Sequence, residues 1–223
     1  MSQERIDAIK KAQGFAKGYA NTNGGCLPHP MMVLSPMPMH VSVIAESSGI
    51  IKFIADEMQC HINVFRTRGL TDPVHAYFIK YEKDGGLDRV TIAYSAELNL
   101  CWSRLLICKE AAHVFLSTPK NATSSSGDAI NLVTNLLNDA GRMQEKGPAL
   151  VVEDTAYFAA IELLFPRQLV AEARHMLEYG SSYKDVAVSF KVPEQTVEYR
   201  FLPAPDALFN SAYDDYDRGA SGK

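Results

Sequence analysis

The run Arg104-Leu105-Leu106-Ile107-Cys108-Lys109-Glu110-Ala111-Ala112-His113-Val114-Phe115-Leu116 is apolar on almost every side, yet three ionisable residues stand in its middle. A helix that is apolar all round is a buried helix. Lys109 and His113 are four apart and Glu110 and His113 three apart, so they meet on successive turns. Lysine and glutamate are almost never fully buried unless paired. Either this face opens into a cleft, or the charges pair with one another and with a third group.

The spacing is that of H-E-x-x-H with lysine in place of the first histidine. In that motif two histidines one turn apart bind zinc, and the glutamate polarises the metal-bound water as general base. Standing alone, K-E-x-x-H is also the make-up of an ordinary solvated helix face. Glu153 adds a second carboxylate near the start of another largely apolar segment, Val151 to Pro166. Ala156 and Ala160 share its face, and residues that small let a second helix approach closely. Glu153 can then face Lys109, Glu110 and His113, where a third zinc ligand would sit.

The elements that must hold these residues follow from periodicity. Gln3 to Tyr19 has Ile6, Ile9, Phe15 and Tyr19 at helical spacing. A breaker-rich loop, Asn21 to His40, contains Met31, Met32, Met37, Met39 and His40. Soft ligands of that kind suit copper(I), but flexible methionines also pack against cores. Val43, Ser47, Ile50, Ile54 and Met58 predict a second helix. Ile62 to Thr67, His75 to Glu82 and Arg89 to Ala96 read as strands, the last two joined by the hairpin signal Lys83-Asp84-Gly85-Gly86. Asn99 is a candidate N-cap for a helix over Leu100 to Ser117. Beyond the loop Thr118 to Gly127, helices are expected over Asp128 to Gln144, Leu150 to Phe165, Arg167 to Tyr179, Ser181 to Phe190 and Pro193 to Phe201. Pro203 to Lys223 is rich in Asp, Gly, Ser and Ala and reads as a disordered tail.

The chain has 223 residues, 47% hydrophobic and 22% charged, with a formal net charge of −4. That composition fills a core and disfavours nucleic acid held by phosphate neutralisation. Cys26, Cys60, Cys101 and Cys108 form no C-x-x-C pair and read as reduced thiols of a cytoplasmic protein. Met1 to Tyr19 is polar and mixed in charge, without the apolar core expected of a signal peptide, and no apolar run approaches the roughly 18 residues a membrane span needs.

Three elements in order resemble the ImmA/IrrE-type metallopeptidases. They are the helix Arg104 to Leu116, the run Glu153-x-x-Ala156 ending in Glu162-Leu163-Leu164-Phe165-Pro166, and Val186-Ala187-Val188-Ser189-Phe190-Lys191-Val192-Pro193 leading through Val197 to Arg200. The likeness spans roughly Arg89 to Phe201. The order of elements, helices then a small sheet then helices, predicts an α+β fold with a small, mostly antiparallel sheet, and the likeness implies that it packs on a helical, zincin-type core followed by C-terminal helices. The reading along the chain together with the likeness divides it into an N-terminal helix and Met/Pro-rich loop (1–40), the peptidase-like domain (41–180), a helix pair (181–202) and the tail (203–223). The likeness further implies Glu110 as general base and His113 and Glu153 as metal ligands. Known members are regulatory proteases of bacteria, phages and mobile elements that act on helix-turn-helix repressors.

The departures from that pattern shape the functional expectation. Lys109 occupies the first ligand position, and a protonated lysine has no lone pair for zinc. Tyr157 stands where the family often has Asn or Asp, and Phe158-Ala159 comes one residue early. Lys109 is expected to replace the metal's charge between Glu110 and Glu153, leaving no zinc or only weakly bound zinc. The rival is that Lys109 turns aside and His113 and Glu153 hold metal weakly. The preferred reading is a catalytically degenerate regulatory protein that binds a protein partner, such as a transcriptional repressor or a peptide segment of one, along a sheet edge at Arg89 to Ala96. The alternatives are an active zinc endopeptidase and a DNA-associated regulator acting through the helix pair. Asp185, Glu194 and Glu198 would repel phosphates there.

Overall fold

In the computed structural model, residues 3–23, 44–46, 49–68, 70, 75–81, 87–116 and 148–221 are described. The Met-rich loop with Cys26, the Lys83–Gly86 turn, the Ser/Thr-rich loop 118–127 and the expected helix Asp128 to Gln144 lie outside these residues.

The described elements run α1 (Gln3–Thr22), β1 (Ile44–Glu46), α2 (Gly49–Glu57), β2 (Cys60–Thr67), β3 (Ala76–Tyr81), β4 (Asp88–Ser95), α3 (Leu100–Leu116), α4 (Pro148–Leu164), α5 (Arg167–Glu178), α6 (Tyr183–Phe190), α7 (Glu194–Phe201) and α8 (Pro203–Ser221). The protein is mixed α+β, mostly helical, with one small sheet of order β1-β2-β4-β3. β1 pairs antiparallel with β2, and β3 antiparallel with β4, as the hairpin signal required. β2 and β4 pair in parallel, with Ile62 beside Val90 and Val64 beside Ile92.

This order corrects the expected edge. Arg89 to Ala96 falls on β4, which is bonded on both sides, and among the described residues β3 is the terminal strand next to it. A hairpin signal says that two strands are neighbours but not which of them a third strand joins. The expected helix from Val43 is also shorter. Ile44–Glu46 form β1, and α2 begins at Gly49, whose φ of 58° lies in the left-handed region that glycine enters without steric cost.

Strand alternation divides the sheet into two faces. Ile62, Val64, Val90 and Ile92 turn inward and are buried. They join one core with Leu105, Ile107, Cys108, Ala111 and Phe115 of α3 and with Ala156, Ala159, Ala160, Ile161 and Leu164 of α4. α4 packs between α3 and α1. Asn99 caps α3 as its sequence position requires, its Oδ1 accepting from the Trp102 backbone N–H at 3.1 Å.

The tail expectation fails. Pro203–Ser221 is helical, and α8 packs against α1 and α7. Leu208, Phe209, Ala212 and Tyr213 are buried. Their i, i+1, i+4, i+5 spacing makes one apolar stripe, which holds the helix despite poor intrinsic propensity.

Candidate functional site

Two apolar helices bring the candidate residues together. Lys109, Glu110 and His113 project from the middle of α3, and Glu153 from the first turns of α4. Ala156 and Ala160 are both completely buried, so nothing bulky holds α4 away from its neighbours. Arg5 of α1 steadies the same end of α4, its Nε donating to Asp154 Oδ2 at 2.7 Å and its guanidinium lying 4.9 Å from the Phe158 ring.

All four expected residues meet. Lys109 Nζ lies 3.0 Å from Glu110 Oε1 and also contacts Glu153 Oε2. His113 Nε2 lies 3.2 Å from Glu153 Oε1 and 3.8 Å from Glu110 Oε2. Glu110 and His113 are buried, whereas the Glu153 side chain keeps 35% of its exposure and Lys109 18%. Solvent therefore reaches the group mainly past Glu153.

The electrostatics favour the charged forms of the ion pair. Burial works against the Lys109 ammonium, but the charges of Glu110 and Glu153 outweigh it and raise its pKa above the ordinary lysine value. Burial also works against the Glu153 carboxylate. The hydrogen bond from His113 and the charge of Lys109 outweigh it and bring Glu153 down to about 2.

The metal implied by the resemblance does not fit this donor set. Zinc needs lone pairs from three protein ligands plus water. The first ligand position presents an ammonium, which has none. At 3.2 Å from a carboxylate oxygen, His113 Nε2 points a hydrogen rather than a lone pair at Glu153. Among the described residues, no group of three or more His, Cys, Asp or Glu side chains is arranged to hold a metal ion.

Sequence reasoning missed Phe78. It lies on β3 with its ring 5.7 Å from the His113 ring, so the terminal strand of the sheet runs directly past the group. The hydrogen bond from Ser95 N to His75 O, 2.7 Å, sets the phase of the β3–β4 ladder. Residues 75, 77 and 79 then bond toward β4, and Ala76 and Phe78 turn their main-chain N–H and C=O away from it. The alternation of His75 to Glu82 gives this parity, but only the topology says that no strand among the described residues lies on the far side. A shallow groove of about 280 Å³ lined by Phe65, Arg66, Thr67, Tyr77, Thr91 and Ala93 lies mainly on the opposite face of the sheet and contains none of the four candidate residues.

Two buried arginines from the resembling motifs also find partners. Arg104 donates to the carbonyl oxygens of Phe190, at 3.3 Å, and Lys191. Arg200 reaches Asp206 Oδ1 at 2.8 Å and Tyr213 Oη at 3.2 Å. In the helix pair α6–α7, Lys191 takes φ 53°, ψ 45°, and Val186, Phe190, Val192 and Val197 are buried. Asp185, Glu194 and Glu198 are exposed on it.

Fold and site together define the class: a mixed α+β protein with an ion-pair group buried between two apolar helices beside a terminal strand. No protein-family model matches the chain, and no curated protein matches it. No helix among the described residues is long and apolar enough to cross a membrane.

Proposed function

We propose that this chain is a catalytically degenerate, metallopeptidase-like regulatory protein that holds an extended segment of a protein partner, such as a transcriptional repressor, along β3. The observation that carries the reading is the packing of Phe78 on His113. It puts the outward main-chain groups of Ala76 and Phe78 beside the candidate site. A sheet edge of this kind templates an added strand, with main-chain bonds giving affinity and alternate side chains giving selectivity. The degenerate part of the reading is supported by Lys109, which stands at a ligand position and is paired with the two carboxylates that catalysis would need.

The test is selection of short random peptides on the intact protein, followed by binding to an Ala76→Pro variant. Proline removes an outward N–H and crowds the edge, yet it is tolerated at a strand's first position. The expected result is at least a tenfold loss of affinity, with the peptide recovered uncut from the parent protein. A peptide bound equally well by the variant would refute docking on β3. A peptide cut at one bond, with cutting abolished by Glu110→Gln, would refute degeneracy and favour the zinc endopeptidase.

A further inference from the structure

The four carboxylate oxygens of the group share two nitrogens, two oxygens to each. Glu110 Oε1 faces Lys109 and Glu110 Oε2 faces His113, while Glu153 Oε2 faces Lys109 and Glu153 Oε1 faces His113. The four groups lie in a cycle in which Lys109 bonds both carboxylates and His113 bonds Glu153, while His113 Nε2 stands 3.8 Å from Glu110 Oε2, in proximity but beyond hydrogen-bond distance. Three members come from α3 and the fourth from α4, so the cycle also ties the two helices together.

We infer that this cycle is a self-contained clasp between α3 and α4 which shuts metal out, so that the metal-free chain is the working form and not an apo state awaiting zinc. A divalent ion at the centre would have to displace the Lys109 ammonium and strip the Nε2 hydrogen from His113. With Glu110 in the general-base position, it would then have only His113 and Glu153 as ligands, one short of the three that a catalytic zinc takes, and both carboxylates would have lost their partners. The cation that offsets those carboxylates is part of the polypeptide and cannot be removed by a chelator. The inference is independent of any partner on β3, so failure of peptide docking would leave it standing.

The cycle makes Lys109 a positioning residue, and charge rescue separates that role from simple packing. Lys109→Met keeps most of the side-chain volume but leaves Glu110 and Glu153 facing each other without their cation. It should lower the melting temperature by several degrees. Adding Glu153→Gln removes one of the two charges and should restore most of the loss, which a purely steric defect would not do.

The deciding experiment measures zinc content and thermal melting of the full chain with EDTA and with zinc chloride. The parent should contain well under one zinc per chain, and its melting temperature should move by less than a degree in either condition. Lys109→His, which supplies a lone pair where the ammonium was, should gain zinc and melt several degrees higher in its presence. Near-stoichiometric zinc in the parent, or a parent that melts lower in EDTA, would overturn the inference. So would a Lys109→Met loss that Glu153→Gln fails to rescue. The parent measurement stands even if a variant fails to fold.

Discussion

Tyr213 Oη donates to Glu162 Oε2 at 2.6 Å, joining α8 to the far end of the helix that carries Glu153. Glu162 is completely buried, and the Arg167 backbone N–H lies 3.4 Å from its other oxygen. Burial pushes the Glu162 carboxyl up from 4.5 to about 7, with Tyr213 and Arg200 only partly offsetting it. Burial pushes the Tyr213 hydroxyl up as well, with the Glu162 charge adding to the effect.

That pairing predicts an unusual pH dependence. A carboxyl whose folded pKa lies above its unfolded value holds its proton more tightly in the folded chain. Its contribution is unaffected below about 4.5, where both states are protonated, and it is lost progressively as pH rises to about 7. The loss amounts to about 3 kcal/mol. Urea midpoints of Glu162→Gln should therefore gain on the parent between acid and neutral pH and level off above it. Parallel midpoints across that range would contradict the buried, proton-holding carboxyl.

Lys191 spends its life in a conformation suited to glycine. At φ 53° its Cβ crowds the following carbonyl, and Gln59 at φ 51° is in the same position. Replacing either with glycine should stabilise the chain by about 1 kcal/mol, set against glycine's greater freedom when unfolded. Lys184→Gly inside α6 should instead cost about 1 kcal/mol. Thermal melts of the three variants check the sign of each.

Close helix contact predicts intolerance of volume at α4. Ala156 and Ala160 have no exposed surface. Leucine at either position should destabilise by about 1–3 kcal/mol through overpacking. Leucine at Ala171, exposed on α5, should change little. Chemical denaturation of all three distinguishes the positions.

Loss of α8 should be severe. A chain ending at Leu202 exposes the surfaces that Leu208, Phe209, Ala212 and Tyr213 cover and removes the hydroxyl bonded to Glu162. Phe158, 5.8 Å ring to ring from Phe209, would face water. Loss of a sharp thermal transition is expected, whereas unchanged cooperative melting would show that α8 adds nothing to the core.

The sequence was most readable where apolar helices carried isolated charges. Lys109, Glu110, His113 and Glu153 had to find one another because a buried charge without a partner is too costly. Asn99 was readable because capping is local. The edge strand was not, since alternation fixes a strand's faces but not its place in a sheet, and the parallel pairing of β2 with β4 joins residues far apart in the chain. α8 was hidden by its aspartates, glycine and alanines, which outnumber the four apolar residues that dock it. Glu162 showed in the sequence only as part of a motif, since its partner Tyr213 lies in the segment read as a tail.

The cap that Arg104 places on α6 has a consequence for how the chain is made. Its guanidinium is wholly buried and reaches the carbonyls of Phe190 and Lys191, while α1 rests on α4 and α8. None of these contacts can form until the later helices have left the ribosome. During synthesis the candidate-site helix emerges long before the residues that shield its arginine and its apolar sides. The nascent chain therefore carries α3 with its arginine and apolar sides uncovered while the segments after it are made, and the packing around α3 closes only once α6 and α8 have arrived.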